Sequence, residues 1–212
     1  MTEFDRMTAG YYVNTMCKSI LLQMARGYIL ARRLNCISLS QQSKRERIAR
    51  RLFGSVGKSC CIGSSLSIEY GKNVHLGNNF SAGEKIVIQD GAPIHIGNNV
   101  SIESNVVITT VVHSLCAEQR QVQWIPQRFP RKHKGLFIYN KPITIGNHVQ
   151  IGAGATVCAG ITIGDGAVIG AGSVITRDIP SGVLAHGAPC RAVRSITDAY
   201  SEEHKVIGIM PT

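Results

Sequence analysis

The stretch Ile143–Thr176, which reads ITIGNHVQIGAGATVCAGITIGDGAVIGAGSVIT, returns an aliphatic β-branched residue at every sixth position. The ladder consists of Ile145, Ile151, Val157, Ile163, Ile169 and Ile175. A short fixed period is typical of repeat proteins, in which one coil cannot bury its apolar side alone and stacks on its neighbours. The alternation inside each hexad (Ile-x-Ile-Gly) indicates short strands, and the glycine permits a tight corner between them. The stretch therefore predicts a parallel β-helix with three short sides per turn.

An earlier block of the chain repeats this pattern less regularly. Its two ladders are Ile94, Val100, Val106 and Val112, and Ile96, Ile102 and Ile108. Weaker hexads precede them, and the register slips over residues 83–93, where glycine and proline predict a loop or an altered corner. We predict coils over residues 59–112 and 142–178.

The first 58 residues differ in kind from the coils. Apolar residues recur at helical spacing over residues 8–34, and Ser40 or Ser43 is placed to cap a second helix, Lys44–Phe53. We expect this N-terminal helical cap, residues 1–58, to cover the first coil, because an open solenoid end exposes unpaired strand edges. Its eleven Lys and Arg against three Asp and Glu favour a solvated basic face.

Residues 113–141 interrupt the repeat. Such a long stretch without periodicity is usually functional or disordered. Beside the acid Glu118, its aromatic and basic residues are Trp124, Phe129, Phe137, Tyr139, Arg120, Arg128, Arg131, Lys132, Lys134 and Lys141. We predict an arm that packs against a neighbouring subunit and gives a positive rim to a cleft. The β-helix domain is then expected over residues 59–195, with this loop inserted, and a C-terminal tail over 196–212.

The composition argues against several classes of protein. A net charge of +10 suggests nucleic acid, but no reader motif supports a specific nucleic-acid partner. Seven cysteines are an odd number without metal-ligand spacing, which favours reduced thiols. The best apolar stretch, Ile20–Leu30, contains Gln23 and Arg26 and is too short to span a bilayer. Because the chain starts without the pattern of a secretory signal, we expect a cytoplasmic protein.

A series of short motifs over residues 7–196 carries a family resemblance. They are Met7-Thr-Ala-Gly10, Arg33-Leu-Asn35, Leu52-Phe-Gly-Ser-Val-Gly57, Tyr70-Gly-Lys-Asn73, Leu76-Gly-Asn-Asn-Phe80, Pro142-Ile-Thr-Ile-Gly-Asn147, Gly160-Ile-Thr-Ile-Gly164, Ile169-Gly-Ala-Gly-Ser-Val174, Thr176-Arg-Asp-Ile-Pro180 and Gly187-Ala-Pro-Cys-Arg191. In them the chain resembles the maltose/galactoside O-acetyltransferases of the hexapeptide-repeat superfamily. The resemblance implies a left-handed parallel β-helix, a homotrimer, and acetyl-CoA sites between adjacent subunits, without a metal ion.

The activity that the resemblance implies is transfer of an acetyl group from acetyl-CoA to a hydroxyl of a sugar or glycan. An alcohol is a poor nucleophile at neutral pH, so a positioned base must take its proton. Histidine suits this task because its unperturbed pKa is about 6.5. In the family the base precedes the long loop, and the matching residue here is His113. Ser114 follows it where the family has Pro, so we expect a different local turn.

The resemblance also implies contacts for coenzyme A. Small residues let the pantetheine arm lie along the coils, a Thr-basic pair lies near the nucleotide, and arginines suit its phosphates. The corresponding residues are Ala153, Gly170, Ala171, Thr176, Arg177, Arg191 and Arg194.

The acceptor side departs from the family pattern. The candidate acceptor contacts are Glu69, Gly83, Asp90 and Trp124. Gly83 stands where the family has Asn, Glu69 where it has Ser or Asp, and Thr15 where it has Asp. These differences argue against maltose or galactosides as the natural acceptor. Together with the basic loop, they lead to the hypothesis of a larger or anionic glycan.

Two alternatives stay open on the sequence. The first is a β-helix scaffold without the chemistry, which is suggested by Ser114 and by Gln150 where the family has Trp. The second is an acetyltransferase whose acceptor is not a sugar. A three-histidine zinc enzyme on a related solenoid is disfavoured, because no His-x4-His spacing occurs.

Overall fold

The computed structural model describes residues 1–11, 13, 15, 17–120, 123–124, 134–135 and 138–196. The helices of this part are α1 (Glu3–Thr8), α2 (Lys18–Asn35) and α3 (Gln42–Leu52), with a 3-10 turn at Glu118–Arg120. None of these helices has the length and apolar character needed to cross a membrane. The predicted C-terminal tail falls almost entirely outside the described residues.

The cap differs from the prediction in two respects. Of the helical stretch expected over residues 8–34, α2 forms only the part from Lys18 onward, while α1 ends at Thr8 and Gly10, with a φ of 80°, turns the chain after it. The next helix, α3, begins earlier than predicted, and its N-cap is Gln41, whose side chain makes no capping hydrogen bond. The cap predicted at Ser40 or Ser43 is therefore wrong.

The strands form a triangular solenoid. In chain order they are β1 (Ser55–Val56), β2 (Cys61–Ile62), β3 (Ser67–Ile68), β4 (Val74–Leu76), β5 (Ser81–Ala82), β6 (Val87–Gln89), β7 (Ile94–Ile96), β8 (Ser101–Ile102), β9 (Val107–Thr109), β10 (Val111–His113), β11 (Gln123–Trp124), β12 (Lys134–Gly135), β13 (Ile138–Asn140), β14 (Ile143–Ile145), β15 (Gln150–Ile151), β16 (Thr156–Val157), β17 (Thr162–Ile163), β18 (Val168–Ile169), β19 (Val174–Ile175), β20 (Val183–Gly187) and β21 (Cys190–Ser195).

Three parallel sheets form the sides of the triangle. The first sheet is β1-β4-β7-β14-β17, the second is β2-β5-β8-β15-β18-β20, and the third is β3-β6-β9-β16-β19. Consecutive strands of a turn lie in different sheets, and each strand pairs with those of the neighbouring turns. The β-helix predicted from the hexapeptide pattern, with its helical cap and interrupting loop, is confirmed.

Inward-facing aliphatic ladders form the core. In-register members at most 4% exposed are Ile96, Ile145 and Ile163 in the first sheet and Ile102, Ile151 and Ile169 in the second. Burying one such side chain contributes about 1.5–3 kcal/mol relative to leaving it exposed. Stacking of the turns therefore stabilises the coils.

The early turns are longer than three hexads. The amide of Asn78 donates to Oδ1 of Asn98, 20 positions along, whereas the amide of Asn147 donates to Oδ1 of Asp165, 18 positions along. The register slip predicted near residues 83–93 thus reflects longer turns throughout the first block. The non-glycine residues with left-handed φ are Ser59, Ser65, Asn79, Lys85, Asn99, Asn105 and His148, whereas glycines occupy most of the corners after Asn147.

The interrupting loop begins as an antiparallel hairpin. Strand β10 pairs with β13, so that His113 lies opposite Ile138. We call residues 111–140 the arm. The chain was expected to leave the coils after Val112, and it is already a strand of the arm at Val111. Likewise, β1 places the start of the coils slightly before the predicted boundary, and the division into domains stays a prediction.

A single buried arginine joins the cap to the first coil. Arg45 of α3 is 2% exposed. Its guanidinium donates to the carbonyl oxygens of Leu34 at 2.7 Å, Ile37 at 2.6 Å, Ile62 at 2.8 Å and Gly63 at 2.9 Å. These acceptors offset the desolvation of the charge, which would otherwise oppose burial. Arg45 therefore ties α2 and α3 to β2.

Candidate active site

Two edges of the triangle contain most of the predicted site residues. The glycine corner joins the second sheet to the third, and its in-register positions are Gly63, Gly83, Glu103, Gly152 and Gly170. The arm corner joins the third sheet to the first, and its positions are Glu69, Gln89, Thr109, Cys158 and Thr176. The arm leaves the coils at the arm corner.

A groove of about 460 Å³ lies along the glycine corner. Its lining residues are Ser81, Ala82, Gly83, Ser101, Ile102, Glu103, Ser104 and Ala153. The structure thus brings together Gly83, a predicted acceptor contact, and Ala153, a predicted coenzyme A contact. Between them, Oε2 of the exposed Glu103 side chain accepts a hydrogen bond from the Ala153 amide at 3.2 Å.

Adjacent turns touch at the glycine corner, which explains its small residues. A Cβ on Gly152 would lie 2.6 Å from the amide nitrogen of Ala171. The amide of Gly172 donates to the carbonyl of Ala153 at 2.8 Å. The predicted contacts Ala153, Gly170 and Ala171 therefore lie together on two adjacent turns of this corner.

The predicted contacts for the nucleotide end are divided between the two corners. Strand β21 pairs antiparallel with β20 and carries Arg191 and Arg194 at the edge of the second sheet. Both side chains are exposed, and Nη1 of Arg191 donates to the carbonyl of Cys190 at 2.7 Å. Thr176 and Arg177 are also exposed, but they lie at the arm corner. One chain does not bring these four residues together.

Glu69 and Asp90 lie at the arm corner in different surroundings. Asp90 is 0% exposed, and its two carboxyl oxygens accept from the amides of Tyr70 at 2.9 Å and Asn73 at 3.3 Å. Burial raises the pKa of Asp90 to about 7, although these amides act in the opposite direction. Burial also raises the pKa of the half-buried Glu69, whose Oε1 accepts from Gln89 at 3.4 Å. In this conformation the Asp90 carboxyl is out of reach of an acceptor.

A buried polar cluster anchors the base of the arm. Thr110 and Asn140 are 0% and 5% exposed. The Thr110 hydroxyl accepts from the amide of Ala92 at 3.1 Å and donates to the carbonyl of Gln89 at 2.9 Å. The Asn140 Oδ1 lies 3.3 Å from the same hydroxyl, and a Cβ on Gly91 would collide with the Asn140 side chain. The origin of the arm is therefore rigidly positioned on the coils.

His113 is an exposed residue on the first strand of the arm. An exposed imidazole can exchange a proton with a bound substrate, but His113 is not among the residues that line the groove. Trp124 lies on β11, opposite Lys134 of β12. Its side chain falls outside the described residues, as do most of the predicted basic residues of the arm.

The described residues contain no group of three His, Cys, Asp or Glu side chains arranged to hold a metal ion. Two of the histidines, His75 and His95, stack on the first sheet with ring centroids 4.8 Å apart and have no third such side chain arranged with them among the described residues.

Glu103 is absent from the residues predicted from the sequence. A signal for it exists in the repeat itself, because Glu103 follows a buried isoleucine of the ladder. In register with it, four other turns have Gly63, Gly83, Gly152 and Gly170, and the last strand of the sheet has His186. A charged residue in a column made mostly of glycines is a candidate for contact with a molecule bound in the groove.

Two family models match the chain. A model described as bacterial transferase hexapeptide (six repeats) matches residues 142–177. A second, described as hexapeptide repeat of succinyl-transferase, matches residues 71–110. Both segments belong to the coils on either side of the arm.

Three proteins of known name are similar to the chain over nearly its whole length. The galactoside O-acetyltransferase of Escherichia coli is 37% identical over 206 residues, which are 95% of each chain. The crystal structure of a maltose O-acetyltransferase from Clostridium difficile has a TM-score of 0.82 and 35% identity, covering 93% of this chain and 99% of that one. A hexapeptide-repeat acetyltransferase from Vibrio cholerae, complexed with acetyl coenzyme A, has a TM-score of 0.81 and 31% identity, covering 93% and 100%.

Proposed function

The chain belongs to the maltose/galactoside O-acetyltransferase family of hexapeptide-repeat enzymes and is an acetyl-CoA-dependent O-acetyltransferase, and from this premise we propose that it acetylates a sugar or glycan hydroxyl with His113 as general base. The observation that carries the proposal is the arrangement of two corners. A column of small residues with a polar groove lies at one corner, and the arm with its exposed histidine starts at the other.

In the proposed reaction, His113 takes the proton of the acceptor hydroxyl as its oxygen attacks the thioester carbonyl carbon. A C–O bond forms, the C–S bond breaks, and the proton passes from the imidazolium to the departing thiolate. Positioned donors of hydrogen bonds stabilise the developing oxyanion. The exposure of His113 supports this role, because both proton transfers need direct access to the imidazole.

The donor is expected to lie along the glycine corner. Ala153, Gly170 and Ala171 have small side chains or none, which supports a pantetheine arm lying close to the backbone of these turns. Arg191 and Arg194, beyond the end of this column, are then suited to the phosphates of coenzyme A. Thr176 and Arg177 would have to reach the same nucleotide from another corner.

A homotrimer resolves this division of the site. If the third sheet of each copy faces a threefold axis, the glycine corner of one copy lies beside the arm corner of the next, and residues from both corners line one cleft. The arm, which carries His113, is then the element that completes the site of its neighbour. The assembly is part of the proposal, as are a cytoplasmic location and the lack of a nucleic-acid partner.

The groove favours an acceptor rich in hydroxyl groups. Its lining residues include the acid Glu103 and neither Lys nor Arg. A carboxylate accepts hydrogen bonds from hydroxyls and repels other carboxylates. The hypothesis of an anionic glycan depends on the basic residues of the arm, most of which lie outside the described residues, and it stays a prediction.

The test of the proposal is coenzyme A release from acetyl-CoA with a panel of neutral, amino and acidic sugars and glycan fragments. His113→Ala is expected to lower kcat by about 10²–10⁴-fold with the best acceptor, which is the contribution of a general base. Calorimetric binding of coenzyme A by this variant should change little, because the proposed binding contacts for coenzyme A lie at the glycine corner and His113 meets only its reacting sulfur.

The matched control is His95→Ala, which removes another exposed histidine from a strand. It should keep most of the activity. Equal activity of the two histidine variants would exclude His113 as the base. Turnover of alcohols that are not sugars, without turnover of any sugar or glycan, would exclude the proposed acceptor class.

A further inference from the structure

Helix α2 exposes an apolar face. Between Leu21 and Ile29, every exposed residue of the helix is apolar. The apolar face consists of Leu21, Leu22, Met24, Ala25, Tyr28 and Ile29, in which Leu22, Tyr28 and Ile29 are 59%, 63% and 49% exposed. Single exposed apolar residues are ordinary, whereas a contiguous patch indicates an interaction surface.

The opposite side of α2 is buried against the rest of the protein, so the helix cannot turn its apolar face inward. Its buried residues are Ile20, Gly27, Leu30, Ala31 and Leu34. A Cβ on Gly27 would lie 2.5 Å from the carbonyl oxygen of Glu69 and 2.8 Å from that of Tyr70. This close contact with the first coil holds the apolar face outward.

The surroundings of the apolar face are basic. Helix α2 contains Lys18, Arg26, Arg32 and Arg33 and no acid. A groove of about 540 Å³ beside it is lined by Arg26, Ile29, Leu30, Arg33 and Arg51. The ion pairs among the described residues are Arg6–Glu3 and Arg50–Glu46, so Arg33 and Arg51 have no carboxylate partner there.

We propose that the apolar face of α2 docks on the surface of an anionic lipid bilayer. An interfacial helix lies in the membrane plane with aliphatic and aromatic side chains at the acyl boundary and basic residues at the headgroups. Helix α2 has this composition, and its Tyr28 combines an apolar ring with a polar tip suited to the interface. At 1.5 Å per residue it is about 27 Å long, enough for a flat contact of several turns.

Charge favours a bilayer over a two-fold pairing of this face with the same face of a second copy. A two-fold pairing of this face would bring Arg26, Arg32 and Arg33 of both copies together, which like-charge repulsion opposes. An anionic leaflet instead attracts these residues, with about 1 kcal/mol for each basic residue near the surface. The excess of eleven basic over three acidic residues in the first 58 acts in the same direction.

The test is co-sedimentation of the full-length protein with vesicles of phosphatidylcholine alone and of phosphatidylcholine mixed with phosphatidylglycerol. We expect binding to the mixed vesicles only, and weakening as salt is raised. The double variant Leu22→Ser with Ile29→Ser should bind at least about tenfold more weakly, since each change removes apolar area from the contact. Its Tm and its turnover of a soluble acceptor should match those of the wild type.

Matched variants distinguish binding through this face from non-specific binding through any exposed apolar residue or any basic residue. Leu115→Ser removes an apolar residue that is 97% exposed on the arm and should leave vesicle binding unchanged. Arg33→Gln should weaken vesicle binding several-fold. Lys85→Gln, which removes one exposed charge from the coils, is the control and should have a smaller effect.

Three results would overturn the proposal. The first is wild-type protein that stays in the supernatant with both kinds of vesicle. The second is equal loss of binding in the α2 variant and in Leu115→Ser. The third is a lower oligomeric mass of the α2 variant in analytical ultracentrifugation, which would make the face a contact between copies of the chain.

Discussion

The coils and the arm that interrupts them are built from different interactions. In the coils, a buried residue such as Ile151 lies in a ladder, in register with Ile102 of the turn before and Ile169 of the turn after. The arm is joined to the coils by the small polar cluster of Thr110 and Asn140 and presents exposed side chains. A change in the coils should therefore act on stability first, and a change in the arm should act on activity first.

Removing a member of a core ladder should have the largest effect on stability. Ile151→Ala leaves a cavity in a fully buried column and should lower the free energy of unfolding by about 2–5 kcal/mol. Chemical denaturation measures this value. Below the unfolding transition, the kcat of the variant should stay near that of the wild type.

The control is the neighbouring position on the same strand. Gln150 faces outward, so Gln150→Ala should change stability by about 0.5 kcal/mol or less. If both variants were equally stable, or if Ile151→Ala lost activity while fully folded, the proposed separation of coils from chemistry would not hold.

A change at the base of the arm should couple the two regions. Asn140→Ala removes the amide that packs over Gly91 beside the Thr110 hydroxyl, and should cost about 1–3 kcal/mol. Activity should fall further than stability predicts, because Asn140 belongs to the strand that pairs with the strand of His113. Denaturation and coenzyme A release, measured on one preparation, check the two effects.

Thr110→Val serves as a second probe of the same cluster, since it keeps the shape and removes the hydroxyl. It should shift stability and activity in the same direction as Asn140→Ala. Loss of stability in both variants with full activity in both would mean that the position of the arm does not matter for the reaction.

The coils were predictable because their physics is periodic. An aliphatic residue that recurs at every sixth position, such as Ile145 or Ile163, indicates directly that its strand forms one side of the triangle. The longer early turns were less clear, because corners such as Asn79 and Asn99 add residues without a hydrophobic signature. The pairing of β10 with β13 depends on partners more than twenty residues apart, and no local pattern indicates it.

Arg45 shows why the cap was harder to predict. In a basic segment an arginine is expected on a solvated face, and Arg45 is instead buried with four carbonyl acceptors. The spacing of Arg45, Ala49 and Leu52 on one side of α3 indicates a buried stripe. Helical periodicity predicts the position, but only the arrangement of the carbonyl groups explains why a charge occupies it.

The pH dependence of the free energy of unfolding should differ between the buried Asp90 beneath the arm and a carboxylate at an exposed corner. Burial raises the pKa of Asp90 from 3.8 to about 7, so between these pH values the folded chain keeps a proton that the unfolded chain releases. The contribution of Asp90 to the free energy of unfolding is therefore largest at low pH and declines as the pH rises toward 7. Asp90→Asn cannot titrate, so the stability of the wild type relative to this variant should fall across that window.

The opposite behaviour is expected at an exposed corner. Amide and side-chain hydrogen bonds from Asn147 lower the pKa of Asp165, so its contribution is present above 3.8 and is lost as pH falls through the lowered pKa. Thermal unfolding of Asp90→Asn and Asp165→Asn from pH 3 to pH 8 compares the two. The same trend in both variants would contradict the assignment of burial as the cause at Asp90.

The smallest expected effect concerns the charge of the acceptor. A carboxylate at the glycine corner disfavours a second carboxylate nearby by about 1 kcal/mol at 4 Å in a well-solvated groove. Glu103→Gln removes this charge and keeps a side-chain oxygen that can accept from the Ala153 amide. The ratio of kcat/KM for a methyl galacturonoside to that for a methyl galactoside should therefore rise by about fivefold.

Glu84→Gln is the matched control, because Glu84 is also exposed near the glycine corner but its Oε1 accepts from Ser64 at 2.8 Å and it does not line the groove. That variant should leave the ratio unchanged. If Glu103→Gln also leaves it unchanged while both sugars are acetylated, the acceptor does not approach Glu103. The groove at the glycine corner would then serve the donor alone, and acceptor selectivity would have to be sought at the arm corner.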